Sequence, residues 1–238
     1  MKKLRIIFVL FTLCPGSVAL AQYAKRSAIE KTYPARDYIM QQTETRYLAD
    51  GSVKSIGYKT SWVKASGEIK TVAVRFKDDK PIVSYGLGNE NGQFWYKANE
   101  AKIYLSGTHN DPWRDNRRSP QYLLTSPQYI RTDKVLGYTA YVTKTPAFEL
   151  YFAPEVGPNP IKTVSIVKNS KDEIVERVVL EPVKIEFSPV LQEMFATPNL
   201  PIDFSEIEQE ITQAETDGNR NIAEHLKGLV ASLKQKRQ

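Results

Sequence analysis

The feature that most limits the possible folds of this chain is the repeated alternation of apolar and polar residues. In segment 54–62, the apolar residues Ile56, Tyr58 and Trp62 fall on one side of an extended chain, and polar residues fall on the other. A period of two is typical of a strand with one buried face. The same period recurs in four further segments, at 72–76, 138–142, 148–152 and 183–187.

Turn-forming residues separate these segments. Asp, Asn, Gly and Pro concentrate at 50–51, 78–81, 89–92, 157–160 and 169–172, where they favour tight reversals of the chain. About eight to eleven strands are therefore predicted, joined mostly as antiparallel hairpins. A sheet of this kind has one apolar face that another part of the chain must cover. The sequence thus predicts a mainly β (α+β) fold.

The C-terminal region is predicted to be helical. Ser205 and Glu208 fit the capping box S-x-x-E at the start of a first helix, and residues 217–219 interrupt it. A second helix then places one apolar stripe at helical spacing. We expect this helix to pack on the sheet of the same chain; alternatively, its stripe and basic end contact a membrane surface or a partner. The stripe consists of Ile222, Leu226, Leu229, Val230 and Leu233.

The N-terminus has the pattern of a secretory signal peptide. Three basic residues precede an apolar run at 6–13, and Ala19, Leu20 and Ala21 offer a small-x-small cleavage site. That run of about eight residues is too short to span a bilayer, which takes about 20. We therefore predict cleavage after Ala21, no transmembrane segment, and a soluble mature chain that is periplasmic or secreted.

Three segments are predicted: a signal peptide at 1–21, a β domain at 22–204, and a helical segment at 205–238 that packs on it. Removing the leader leaves 30 basic against 27 acidic residues and a net charge of +3. So small a surplus argues against nucleic-acid binding. The single cysteine, Cys14, lies in the leader, so we expect no disulfide or thiolate chemistry in the mature chain.

Five elements follow one another between residues 135 and 198. They are a strand opening at 136–138, a strand 149–152 running into 153–155, a strand containing 162–164, a strand around 175–180, and a terminal strand ending at 195–198. In this order they resemble the lipoprotein-localisation carriers of the bacterial envelope, the LolA/LolB-like superfamily. The resemblance implies a curved, unclosed half-barrel around an apolar cavity, with helices across its mouth. Family members of known role hold acyl chains in that cavity, and no catalytic motif accompanies the resemblance.

Large apolar side chains on the strands are candidates for lining such a cavity. Rings with polar tips suit a concave wall that contacts an apolar ligand while staying partly wet, and they suit an ordinary sheet core equally well. The candidates are Tyr58, Trp62, Tyr138, Phe148, Leu150 and Phe152.

The polar segment 107–118 offers a second kind of site. Its guanidinium groups could contact a lipid head group, an anionic glycan or an acidic partner. His109 with neighbouring carboxylates could bind a metal, but the spacing matches no established metal motif, so no metal site is predicted. The surface-binding candidates are Trp113, Arg114, Arg117 and Arg118.

Three functions are compatible with these features. The first is a non-catalytic periplasmic protein, without a cofactor, that holds a lipid or another amphipathic ligand in an apolar cavity. The second is an envelope protein–protein interaction module with a closed core, using the 107–118 loop or the C-terminal helix. The third, an enzyme acting on envelope glycans or lipids, lacks a G-x-S-x-G motif. We therefore predict that the chain is not an enzyme and identify no catalytic residue.

Overall fold

A computed structural model describes residues 36–107 and 120–236. The predicted signal peptide with Cys14 lies outside these residues. So do His109 and the surface-binding candidates Trp113, Arg114, Arg117 and Arg118.

The described residues form twelve strands in one sheet. Neighbouring strands are antiparallel except β12, which runs parallel to β6. The order across the sheet is β12-β6-β5-β4-β3-β2-β1-β11-β10-β9-β8-β7, and the sheet curves without closing into a barrel. The strands are β1 Tyr38–Leu48, β2 Val53–Val63, β3 Ile69–Lys77, β4 Lys80–Asn89, β5 Gly92–Lys97, β6 Ile103–Gly107, β7 Tyr129–Val135, β8 Tyr138–Lys144, β9 Phe148–Phe152, β10 Pro160–Lys168, β11 Ile174–Glu186 and β12 Ile202–Asp203.

Helices occur in two places among the described residues. The short helix α1 spans Pro120–Thr125 between β6 and β7, and a 3-10 turn at Gln192–Phe195 follows β11. At the C-terminus, α2 spans Ser205–Thr216 and α3 spans Arg220–Lys236, so the predicted break at 217–219 separates them. None of these described helices has the length and apolar character needed to cross a membrane. The predicted fold class, a curved and mainly β sheet with C-terminal helices, is confirmed.

Strand β11 differs from the sequence-based prediction. The sequence favours two strands, at 175–180 and 183–187, but the structure contains one strand of 13 residues. The pairing with β1 shifts between Gln41 and Gln42, which face Lys184 and Pro182, and Val183 is left as the extra residue of a bulge. A proline, which lacks an N–H donor, is tolerated within a sheet at such a bulge. Pro182 therefore bends the strand without ending it.

The cap of α2 also differs from the prediction. Ser205 is the first helical residue rather than the cap, and the side chain of Phe204 at the cap position makes no hydrogen bond. The Ser205 N–H instead donates to Asp203 Oδ1 at 2.9 Å, while Lys102 Nζ donates to Asp203 Oδ2 at 2.6 Å. These bonds hold the pKa of Asp203 well below its usual range. Pairing of β12 with β6 places this carboxylate at the helix start.

The prediction of a terminal strand that ends at 195–198 is wrong. The 3-10 turn Gln192–Phe195 occupies this part of the chain, and Phe195 is buried in the cluster beneath the C-terminal helices. The backbone oxygen of Phe195 accepts a hydrogen bond from Asn89 Nδ2 at 2.7 Å. A buried amide bond of this kind fixes the turn against the end of β4.

Two buried clusters stabilise the fold. The first lies between the ends of β4–β6 and the paired helices α2 and α3; it includes Leu87, Phe94, Leu105, Ile207, Leu226 and Val230. The second joins the start of β1 and the end of β2 to β8–β10 and the loop after β9; it includes Tyr38, Val63, Val142, Val156 and Ile161. Together they bury apolar surface towards both edges of the sheet and at the start of β1 and the end of β2.

We expect Leu226→Ala to lower the free energy of unfolding by about 2 to 4 kcal/mol, because it removes a buried side chain from the first cluster. Leu226 is 4% exposed, whereas Ile222 on the same helix is 51% exposed. Ile222→Ala is therefore the matched control and should change stability by less than about 0.5 kcal/mol. Urea unfolding of both variants measures the difference. Equal effects would show that α3 does not pack on the sheet.

Candidate functional site

The pairing of the central strands divides their side chains between two faces. Tyr58 on β2 pairs with Thr43 on β1 and with Val74 on β3. One residue earlier on β2, Gly57 pairs with Glu44 on β1. Because successive residues of a strand point to opposite faces, these pairs mark the two sides of the sheet. We name them the Tyr58 face and the Glu44 face.

Around Glu44 and Tyr58, the Glu44 face is the more buried of the two. On the Glu44 face, Glu44 is 4% exposed and Ser61 is 1% exposed; on the Tyr58 face, Tyr58 is 56% exposed and Ile56 is 48% exposed. In this part of the sheet, the Glu44 face is therefore the more crowded side.

Two glycines allow this crowding. A Cβ atom on Gly57 would lie 2.7 Å from the backbone oxygen of Val74 and 3.4 Å from Cγ of Arg75, and one on Gly86 would lie 2.5 Å from Oγ1 of Thr71. Glycines are used in this way to curve a sheet. At Gly57 the missing side chain also leaves room for Arg75 to cross from β3 to β1.

A buried carboxylate lies at the centre of the Glu44 face. Arg75 donates to Glu44 with two hydrogen bonds, from Nε to Oε1 at 2.7 Å and from Nη2 to Oε2 at 2.8 Å. Arg46 adds a third, from Nε to Oε1 at 2.9 Å. Burial raises the pKa of Glu44, but these bonds outweigh it, so the pKa is lowered overall. A bidentate contact between arginine and carboxylate fixes the orientation of both side chains.

The charged cluster continues to β11. Arg46 Nη1 donates to Glu176 Oε1 at 2.8 Å, and Lys54 Nζ donates to Glu176 Oε2 at 2.7 Å. The hydrogen bond from Lys54, with the nearby Arg46, lowers the pKa of Glu176. One carboxylate on β1 and one on β11 thus hold cations from three strands together.

Lys59 is a further cation of the Glu44 face, and it makes no hydrogen bond or ion pair with the residues that the structure describes. It lies directly opposite Gln42 and two residues before Ser61. The Oε1 atom of Gln42 and the Oγ atom of Ser61 are buried without a hydrogen-bond partner. Burial lowers the pKa of Lys59, as does the nearby Arg75, although Glu44 acts in the opposite direction.

Towards β9 the Glu44 face becomes apolar. Glu44 pairs with Leu180 on β11, Leu180 with Thr163 on β10, and Thr163 with Leu150 on β9. Phe148, two residues from Leu150 on the same face, is 46% exposed. We name Leu180, Leu150, Phe148 and Val178 the apolar strip. It runs beside the charged cluster on one side of the sheet.

The predicted cavity residues divide between the two faces. By register and alternation, Phe148, Leu150 and Phe152 lie on the Glu44 face, and Phe152 is buried. Tyr58, Trp62 and Tyr138 lie on the Tyr58 face. Trp62 packs against the first buried cluster and Tyr138 against the second. The structure therefore brings the β9 residues together and places the other three elsewhere.

Sequence reasoning missed the charged cluster. Lys59 and Ser61 fall at the polar positions of β2, which an alternating pattern assigns to the solvent side. A signal was present in Gly57, because a glycine inside a strand often marks a close approach of another group.

A separate pocket of about 500 Å³ lies between the β5–β6 edge and α3. Glu210 and His225 are among its lining residues. Within 36–107 and 120–236, no three or more His, Cys, Asp or Glu side chains are grouped so that they could hold a metal ion. The pocket therefore brings together one carboxylate and one imidazole.

We expect Lys59→Met to raise the free energy of unfolding by about 1 kcal/mol, because it removes an unpaired cation from a half-buried position. Lys70→Met is the control, since Lys70 pairs with Trp62 and lies on the Tyr58 face; it should change stability by less than about 0.5 kcal/mol. Urea unfolding at neutral pH checks both values. A loss of stability in Lys59→Met would mean that Lys59 is needed to hold the sheet.

The lowered pKa of Glu44 predicts a specific loss of stability in acid. A carboxylate with a lowered pKa stabilises the folded state above its unfolded pKa, and this contribution disappears as the pH falls below about 5. Glu44→Gln should therefore lower stability at pH 7 and flatten the dependence on pH. Denaturant unfolding between pH 7 and pH 3 measures both. Glu90→Gln, in an exposed turn, should retain the full slope; an unchanged slope in Glu44→Gln would contradict the prediction.

No protein-family model and no curated protein matches the sequence, but solved structures do. A conserved protein of Thermus thermophilus has a TM-score of 0.43 and 12% identity over 79% of this chain and 99% of its own. A LolA superfamily protein of Nitrosomonas europaea has a TM-score of 0.37 and 9% identity over 75% and 97%. MucB of Pseudomonas aeruginosa, solved with MucA, has a TM-score of 0.35 and 13% identity over 76% of this chain and 61% of its own.

Proposed function

We propose that this protein binds a lipid or another amphipathic molecule on the Glu44 face and leaves it chemically unchanged. The observation that carries the proposal is the position of the apolar strip beside a cluster of charged side chains on the same face of the sheet. A molecule with an apolar tail and a polar head matches that division. Cleavage of the leader after Ala21 would place the protein in the periplasm or outside the cell.

The apolar strip is suited to an acyl chain. Leu180 on β11 and Leu150 on β9 are two strand spacings apart, which is about 10 Å, and both are half-buried. Phe148 extends the strip and is exposed enough to contact a ligand directly. Covering these side chains would remove apolar surface from water, at about 25 cal/mol per Å². Phe148, Leu150 and Phe152 are therefore the cavity candidates that we retain for the ligand.

A second candidate function is protein–protein interaction through the Tyr58 face. Ile56, Tyr58 and Phe76 are large apolar side chains that remain exposed on this face, and contiguous exposure of this kind marks interaction surfaces. The C-terminal helix is less suited to a partner, because Ala223, Leu226, Val230 and Leu233 are already buried in the first cluster.

Phe148→Asp should weaken binding of a fluorescent fatty acid by about tenfold or more, because it places a charge in the apolar strip. Ile56→Asp is the matched control. The two side chains are similarly exposed, 46% and 48%, and lie on opposite faces of the sheet. Fluorescence titration of the purified protein, with native mass spectrometry of any co-purifying lipid, measures the effect. Thermal unfolding confirms that both variants are folded.

The two variants also separate the candidate functions. Loss of binding in Ile56→Asp alone would place the ligand on the Tyr58 face. If the unmutated protein neither co-purifies with an amphiphile nor binds an added one, the ligand-binding proposal is wrong and the protein-interaction candidate remains.

A further inference from the structure

The charged cluster of the Glu44 face contains more cations than anions. Glu44 and Glu176 supply two carboxylates, and the four cations are Arg46, Lys54, Lys59 and Arg75. Three of the cations form ion pairs, and Lys59 does not. Arg75 uses Nε and Nη2 for Glu44, which leaves Nη1 on a side chain that is 48% exposed. The cluster therefore has cationic hydrogen-bond donors that no carboxylate of the described residues uses.

These donors belong to two neighbouring side chains of like charge. Cγ of Arg75 lies 3.4 Å from the position that a Cβ atom on Gly57 would take, and Lys59 follows Gly57 by two residues on the same face. Arg75 accordingly lowers the pKa of Lys59, in addition to the larger effect of burial. Two cations held together on a partly dehydrated surface repel each other. An anion that contacts both would remove this repulsion. The described residues do not supply that anion. Among them, Glu44 is the only carboxylate near Lys59 and Arg75, and it is already bonded to Arg46 and Arg75.

The surroundings of Lys59 add a second, independent observation. Gln42 and Ser61 flank it on the same face, and each has one buried polar atom without a partner. Unpaired buried polar atoms are rare in folded proteins, and they concentrate at functional sites. The ammonium of Lys59 has three N–H donors. Two can be directed to Gln42 Oε1 and Ser61 Oγ, and the third remains for a ligand.

We propose that Lys59 and Arg75 form an oxyanion site that holds the carboxylate or phosphate head group of an amphipathic ligand. This rests on the proposed function, because the tail would lie on the apolar strip. From β2 to β9 the site and the strip span four strand spacings, which is about 19 Å. Arginine contributes a planar donor group and lysine a point charge, a combination suited to carboxylate and phosphate oxygens. The ligand class is thus an anionic amphiphile rather than a neutral one.

Isothermal titration calorimetry of the purified protein with three probes tests this assignment. The probes are decyl phosphate, decyl maltoside and inorganic phosphate, with the amphiphiles kept below their micelle concentrations. The unmutated protein should bind decyl phosphate at least about tenfold more tightly than decyl maltoside, as expected for a charge-assisted hydrogen bond. Lys59→Met should abolish that preference and leave decyl maltoside binding unchanged. Lys70→Met, on the other face, should retain it.

Ser61→Ala provides a second variant with a smaller expected effect. It should weaken the binding of decyl phosphate several-fold and leave the binding of decyl maltoside unchanged, because Ser61 acts by positioning Lys59. A merely structural role would weaken both amphiphiles alike and would contradict this part of the proposal. Thermal unfolding of each variant shows whether it is folded.

The three probes distinguish the possible failures. Equal binding of both amphiphiles, unaffected by Lys59→Met, would overturn the oxyanion site and leave the proposed function intact. Binding of inorganic phosphate alone, lost in Lys59→Met, would support the anion site and overturn the amphipathic ligand. If none of the three probes binds, both the oxyanion site and the proposed function are overturned.

Discussion

The central part of the fold depends on the hydrogen bonds between Arg75 and Glu44 across Gly57. They connect β3 to β1 over the intervening strand, and Arg46 extends the connection through Glu176 to β11. Four adjacent strands are thereby held by charged groups at a place where most sheets rely on apolar packing. Burying these charges is favourable only because each carboxylate has several donors. The two apolar clusters stabilise the sheet on either side of these charges, and the second also includes the start of β1 and the end of β2.

This arrangement underlies the ligand site that we propose on the Glu44 face. A face filled with large apolar residues would pack closed against other parts of the chain, whereas small and charged residues leave polar groups with unused bonding capacity. The apolar strip at Leu180, Leu150 and Phe148 begins where the charged cluster ends. The face therefore changes from charged to apolar over neighbouring strands, which is the pattern expected for recognition of a molecule with two unlike ends.

Much of the sheet could be predicted because alternation and turn residues are local signals. The strand through Tyr58 and Trp62 was predicted with its side chains correctly divided between two faces. The burial of the polar residues on the Glu44 face could not be predicted, since it depends on Gly57 and on contacts between side chains from several strands. The cap of α2 could not be predicted either, because Asp203 is positioned by the pairing of β12 with β6. Half of the predicted cavity residues consequently lie on the opposite face from the others.

The two edges of the sheet have a consequence for the behaviour of the protein at high concentration. Exposed edge strands offer unpaired N–H and C=O groups to other chains. At one edge, the two residues of β12 cover part of β6 and lead directly into α2. At the other, β7 carries Arg131, Asp133 and Lys134 at exposed positions, and charges of this kind discourage strand pairing between molecules. A long open sheet can in this way remain dispersed in a crowded compartment without closing into a barrel.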